Sequence, residues 1–383
     1  MNVLFIATYE GLSGASYSLL GMIEELRLMG VNPYVILLKN GKMKSELEKR
    51  SIPFSILRGY PWVVEASKRD SIKEKLYWAI KRVYNVKAEN GICKIIKDKN
   101  IDIVHINAFT ASVGFHAAKK MGVPIVWHIR EFVEEDLGKR FWNKKGALEM
   151  LEQADKVIAI SESVLKKFKE QAPNANIQVI YNGIPTKDYE NGRRYPVFSQ
   201  TTIFAILAGR IDPGKGHEDV IEALHEIGAE NLRDFLLNIA GKSQNKEFED
   251  KIHSLVADYG LNETVKFIGF RTDLPDIYKN SDIAIVSSKA EAFGRVTVEA
   301  MMGGALVLGA DTAGTKEIIG DSFGVLYKQG DSHDLAVKLK MILSAKEKYR
   351  NIAKKAQEFA MSTFTAKKNA ENVFKVYSQL DIS

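Results

Sequence analysis

The sequence predicts an α/β protein made of two doubly wound, Rossmann-like domains facing a central cleft. Short apolar runs alternate with amphipathic stretches through nearly the whole chain, which reads as strand–helix–strand units and parallel sheets covered on both faces. The alternation breaks once, at the turn-rich polar segment "NGIPTKDYENGRRYPVFSQ", and then restarts. The 383 residues are too many for most single cores and suit two domains.

The first series opens with "NVLFIAT", followed by a helical pattern over Tyr17 to Met29 and then "NPYVILL". "DIVHIN" leads through "ASVGFHAAKKMG" to "PIVWHI", and "DKVIAIS" through "ESVLKKFKEQA" to "IQVIYNG". The second series runs from "TIFAILAGR" through a helix near Glu218 to Ile227, "FLLNIAG", and a helix near Lys246 to Tyr259. "VKFIGF", "DIAIVSS" and "ALVLGA" complete it. After Gly330 the pattern is helical to the end, and Thr365 to Leu380 has apolar spacing suited to packing on a neighbouring surface. The expected divisions are a first domain over 1–190, a second over 199–362, and a closing segment over 363–383.

Composition is that of an ordinary globular protein, with 45% hydrophobic and 27% charged residues. The single cysteine, Cys93, cannot form an internal disulfide, which points to a reducing compartment. "MNVLFIATYEG" reads as a buried first strand rather than a signal peptide, and no apolar run approaches membrane-span length. The expectation is a cytoplasmic protein, at most peripheral to a membrane. A net charge of +6 favours anionic partners without choosing among them.

Ligands of such sheets bind beyond the carboxyl ends of the strands, so the loops there carry the candidates. In "EAFGRVTVEA", Glu291 and Glu299 flank Gly294. Were this stretch all helix, the two carboxylates would stand about 12 Å apart along the axis, too far to act on one glycosidic bond as a hydrolase pair. They suit instead the two ends of one elongated ligand, with Gly294 letting the backbone approach it, against a plain alternative of a surface cap and an ordinary helix glutamate. In "LAGRIDPGKGHEDV", Arg210 and Lys215 sit between a strand and a helix as a diphosphate clamp or as solvated loop charge. "TYEGLSGASYSLL" is a glycine-bearing turn but not a GxGxxG fingerprint, and no acidic residue closes the next strand for a dinucleotide ribose. "VWHIREF" puts His128 at a strand end, where it either packs or bonds a ligand hydroxyl. No Asp-x-Asp device is present to chelate Mg²⁺. Residues 67–99 interleave Lys68, Arg69, Lys73, Lys75, Lys81, Arg82 and Lys87 with Tyr77, Trp78 and Tyr84. That segment is either a solvated helix packing its aromatic residues or a basic amphipathic helix lying on an anionic membrane.

Taken together these motifs resemble the retaining GT-B glycosyltransferases of the GT4 family, glycosyl transferases group 1, over nearly the whole chain. The resemblance rests on Glu291 to Glu299 in "EAFGRVTVEAM", on Gly209, Arg210, Lys215 and Gly216, and on "ADKVIAIS", "VIYNGI", "IAG", "FIGF" and "AGTKEII" in the family's order. It implies a nucleoside diphosphate sugar donor, a glycan or lipid-linked acceptor, no nucleic acid, no cofactor and no metal. It also implies that Glu291 meets the donor sugar, Glu299 the ribose, and Arg210 and Lys215 the diphosphate. Backbone around Phe293, Gly294 and Arg295 would meet sugar and phosphate, and backbone near Gly241 and Phe270 the base. Gly14 would close on the donor, His128 would stand beside its sugar, and the C-terminal helix would cross back to the first domain. The sequence departs from the family at "GLSGAS", where adjacent glycines are common, at Arg295, where an aliphatic residue is common, and at Ala305, where proline is common. The expected activity is retaining, metal-independent hexosyl transfer in bacterial surface-glycan assembly of capsule, O-antigen or teichoic-acid type. The alternatives are a nucleotide-sugar 2-epimerase of the same fold, or a non-catalytic binder of sugar nucleotides or nucleic acid.

Overall fold

The structure is a computed structural model that describes residues 1–8, 11–69, 71–135, 137–192 and 196–381. Tyr9 and Glu10 of the first glycine-bearing loop, residues 193–195 of the linker, and the last two positions of the closing segment lie outside the described residues. The chain forms two compact units: Met1–Gly183 with Ala366–Ser383, and Ile184–Thr365.

The first unit contains β1 (Asn2–Ala7), β2 (Asn32–Leu37), β3 (Phe54–Ile56), β4 (Val63–Glu65), β5 (Ile103–Ile106), β6 (Ile125–Ile129), β7 (Lys139–Phe141), β8 (Lys156–Ala159) and β9 (Ile177–Val179). Its parallel sheet has the order β3-β2-β1-β5-β6-β8-β9. Both faces are covered, and Val3, Leu4, Phe5 and Ile6 of the central strand are wholly buried, as a run without polar alternation requires. Helix Gly14–Leu28 starts on a capping box in which Ser13 and Ser16 bond each other's backbone N–H. Leu19, Ile23 and Leu26 of that helix share one core with Ala370, Val373 and Tyr377. The last helix, Ala366–Tyr377, therefore belongs to the first unit, where the resemblance implies it.

Helix Ile72–Asp98 runs for 27 residues through the basic, aromatic segment. Ala88, Ile92 and Ile96 pack inward, whereas Ile72, Leu76, Ile80 and Val83 stand exposed at helical spacing. β3 and the antiparallel pair β4–β7 are strands that the sequence pattern did not single out. Three residues are too few for an alternation to register, so tertiary pairing decides them.

The second unit contains β10 (Ile203–Ala208), β11 (Phe235–Ala240), β12 (Val265–Gly269), β13 (Ile283–Val286), β14 (Leu306–Ala310) and β15 (Val325–Tyr327). The order is β12-β11-β10-β13-β14-β15, again parallel throughout. Connection direction reverses between β10 and β13, which makes the loops after those two strands the switch point of this sheet. Those are the loops that carry Arg210, Lys215, Glu291 and Gly294. Among the described residues no helix is long and apolar enough to cross a membrane.

Candidate active site

The loop after β10 is shaped by its own sequence. Asp212 accepts the Gly214 N–H at 3.0 Å, capping the short turn Pro213–Lys215 in which Pro213 fixes the first position. Gly216 follows at φ +66°, and a Cβ there would lie 2.1 Å from the Ser287 carbonyl oxygen. The Ser287 hydroxyl donates to the Lys215 carbonyl at 2.7 Å, and the Lys289 N–H donates to the Gly214 carbonyl at 2.9 Å. Two loops far apart in the chain are thereby stitched together, and they deliver Lys215 to Glu291, 76 positions on: Nζ lies 2.5 Å from Oε1. The pair is 27% and 16% exposed, open enough to be reached by a ligand.

His217, the next side chain, is buried. Burial lowers its pKa to about 4, with Asp212 opposing and the Lys215 ammonium reinforcing the shift. A folded-state pKa below the unfolded value of about 6.5 gives stability that is present above that value and is lost as pH falls. Resistance of the second unit to urea should therefore weaken as pH falls from about 6.5 to 4, and His217→Phe should flatten that acid limb. An unchanged limb would remove His217 as its source.

The segment from Glu291 to Gly294 is held from the other side. The Gly314 N–H donates to the Glu291 carbonyl at 3.0 Å, and a Cβ on Gly314 would lie 2.2 Å from the Phe293 carbonyl oxygen. This close approach explains the glycine of "AGTKEII". Gly294, at φ +90°, is the N-cap of helix Arg295–Met302, a conformation that favours glycine. Glu291 is therefore in the loop and Glu299 on the helix, so the two do not share one helix face. Arg295 Nε lies 2.7 Å from Glu299 Oε1, one turn apart and both mostly buried. Burial first, then the Glu299 charge, pushes the hydroxyls of Tyr189 and Tyr278 to higher pKa, so both stay protonated beside it.

A cavity of about 280 Å³ opens next to the loop after β10, lined by Gly209, Arg210, Gly241, Ser243, Phe270 and Arg271. Gly241 is required by close approach, because a Cβ there would lie 1.8 Å from the Gly209 carbonyl oxygen. The Phe270 ring is 64% exposed beside the cavity, a flat apolar surface on which a planar heterocycle can stack. Arg210 is 62% exposed, with Nε 3.4 Å from Asp212, and faces this cavity rather than Glu291.

The structure thus gathers Arg210, Gly241 and Phe270 around one cavity, and Lys215, Glu291, Phe293 and Gly294 on adjoining loops of the same unit, with Arg295 and Glu299 on the helix that follows. Gly14 and His128 lie in the first unit. Gly14 is the first residue of its helix. His128 is wholly buried, with Nδ1 3.3 Å from both His105 Nε2 and Arg130 Nη2. Burial, then Arg130, then His105 drive its pKa far down, so the ring is neutral. With Nδ1 accepting from Arg130, the proton rests on Nε2, which has no partner among the described residues. Arg130 also donates to Asn107 at 2.7 Å and to Asn182. The sequence reading missed this buried polar network, and its signal was the polar residues closing "DIVHIN", "VWHIR" and "VIYN". It also missed Ser287 and Lys289. Among the described residues no group of three or more His, Cys, Asp or Glu is placed to hold a metal ion.

Two family descriptions match consecutive parts of the chain. "Glycosyltransferase Family 4" covers residues 12–188, and "Glycosyl transferases group 1" covers residues 188–359. The chain is 26% identical over 307 residues to N-acetyl-alpha-D-glucosaminyl L-malate synthase of Bacillus anthracis, spanning 77% of this chain and 79% of that one. It is 24% identical over 306 residues to an uncharacterized 41.2 kDa protein in the cps region of Klebsiella pneumoniae, spanning 75% and 81%. Among solved structures it is similar to Anabaena Alr3699/HepE in complex with UDP, with a TM-score of 0.82 at 23% identity over 99% of this chain and 100% of that one. The same Anabaena protein in complex with UDP-glucose gives a TM-score of 0.80 at 23% identity over the same shares.

Proposed function

The chain belongs to the GT-B glycosyltransferases of the GT4 kind, and from that premise we propose that it transfers a hexose from a uridine diphosphate sugar to an acceptor hydroxyl with retention, in assembly of a bacterial surface glycan. The contact between Lys215 and Glu291 carries this reading. It joins a cation suited to a departing diphosphate to a carboxylate suited to sugar hydroxyls, so one ligand spanning both would satisfy both. The base would stack on Phe270, the ribose hydroxyls would meet Glu299, and Arg210 and Lys215 would hold the diphosphate. UDP is chosen because solved neighbours of the same fold bind UDP and UDP-glucose.

In the proposed reaction the acceptor oxygen bonds to the anomeric carbon on the face from which the diphosphate leaves. The carbon–oxygen bond to the β-phosphate breaks, and the acceptor proton passes to the departing phosphate oxygen. Lys215 and Arg210 stabilise the charge that grows there. Glu291 orients the sugar. None of these steps calls on a metal. Proton NMR of the product tests retention, since an inverted anomeric signal would contradict it. A thermal-shift comparison of UDP, GDP, ADP and dTDP sugars tests the base, because a cognate donor raises the unfolding temperature.

Arg295 already occupies Glu299 in the free protein. Arg295→Met should therefore tighten UDP binding several-fold while lowering the stability of the free chain, since it leaves Glu299 without its cation. Calorimetry and thermal melts on the same sample check both directions, and weaker UDP binding would show that Arg295 itself contacts the ligand.

The exposed row Ile72, Leu76, Ile80 and Val83, bordered by Lys73, Lys75, Arg82 and Lys87, supports peripheral contact with an anionic membrane. Sedimentation with vesicles containing phosphatidylglycerol should be lost in Leu76→Glu/Ile80→Glu, and should be absent for vesicles of phosphatidylcholine alone. Equal binding to both vesicle types would contradict the contact.

A further inference from the structure

We propose that the first unit carries a second ligand site, built from residues other than those assigned to the donor, and that it takes an anionic saccharide. The site is a cavity of about 830 Å³ between helices Ile72–Asp98 and Val113–Met121, at the end of the β4–β7 pair. Trp78 and Trp142 form its aromatic wall, with parallel rings whose centroids lie 5.6 Å apart at 15°. The main chain at Trp142 is fixed by its backbone N–H, which donates to the Trp62 carbonyl at 3.1 Å. Both indoles are only half-buried, so ring surface faces the cavity. A second cavity, of about 400 Å³, shares the same two tryptophans and adds Arg69 and Lys75.

The chemistry of the wall selects the ligand. Indole surface fits the apolar face of a pyranose ring, and polar side chains such as Asn90 around it suit hydroxyl groups. Cations stand on both sides of the tryptophan pair: Arg82 and Lys120 in the larger cavity, Arg69 and Lys75 in the smaller. The acidic residue of the larger cavity is Glu89. Burial pushes its carboxyl up to about 7, with Lys120 pulling the other way, so near neutral pH it opposes the cations only in part. A wall of this kind favours a sugar bearing carboxylate or phosphate over a neutral one. The site goes beyond the transferase reading and stands whether or not the second unit transfers a sugar.

Two reporters are built into it. Three of the four tryptophans of the chain line the larger cavity, so its occupancy should alter intrinsic fluorescence. Cys93, the single cysteine, lines it too and is half-buried. The probes are tetragalacturonate and, as a neutral chain of the same length, maltotetraose, added to the full chain. Tetragalacturonate should change the fluorescence saturably and slow alkylation of Cys93 by iodoacetamide. Trp142→Ala should weaken its binding about tenfold or more, and Arg82→Glu/Lys120→Glu should do the same. The charged pair is exposed, so that variant keeps the fold even if the tryptophan variant does not. Maltotetraose should bind at least about tenfold more weakly. The proposal is overturned if neither probe binds saturably, if maltotetraose binds as tightly, if the charge-reversed variant binds as the parent does, or if UDP displaces the saccharide. UDP affinity of the same variants, read by calorimetry, should stay at the parent value, which separates failure of this site from failure of the donor assignment.

Discussion

Replacing Lys215 with alanine is expected to lower kcat for sugar transfer by about 10²–10³, the loss that follows removal of one fixed donor from a site of growing negative charge. Stability should change by less than about 1 kcal/mol, because the Lys215–Glu291 pair is partly exposed and screened. The measurement is steady-state transfer from UDP-glucose beside a thermal melt. A matching loss in Glu291→Gln would be informative in a different way. That variant removes the carboxylate that holds Lys215 in the free protein. It should therefore bind UDP as tightly as the parent or more tightly, while transfer falls with the lost sugar contact. Equal turnover in parent and Lys215→Ala would show that the lysine serves only the loop.

The second large effect is expected at Gly216. Alanine there meets two penalties together: a left-handed backbone at φ +66°, and a Cβ placed 2.1 Å from a carbonyl oxygen of the neighbouring loop. The loop must shift, and the shift separates Lys215 from Glu291. Gly216→Ala should destabilise the second unit by about 3 kcal/mol, on the scale of strained-backbone substitutions. Transfer should fall at least as far as in Lys215→Ala. Denaturant titration and transfer assays check the two parts. A variant as stable and active as the parent would mean that the two loops are not locked together in the working protein.

The alternation of apolar runs and helical patterns made both sheets legible, because each central strand is buried on two faces and so lacks polar interruptions. β10, β11 and β13 were visible for that reason. β3, β4 and β7 were not, since three residues carry no period. Within the site, the Arg295–Glu299 contact was available from helical spacing of four, and Gly294 from its place between a strand and a helix. The Lys215–Glu291 contact was not. It joins positions 76 apart in the chain, and only the switch point between β10 and β13 brings their loops side by side. Arg210 and Lys215 read as one clamp in the sequence, yet the turn at Pro213 sends them to different neighbours, the first to the Phe270 cavity and the second to Glu291. The burial of His128 was equally hidden. Its ring is neutral because burial comes first and the nearby Arg130 and His105 second, and His105, itself bonded to Tyr377, comes from a separate strand.

A structure of the chain with bound UDP-glucose bears most directly on the donor assignment. The account predicts the uracil ring against Phe270, ribose hydroxyls on Glu299, and Lys215 Nζ moved from Glu291 to within about 3 Å of a diphosphate oxygen. It is contradicted if the nucleotide lies elsewhere while Lys215 and Glu291 remain on each other.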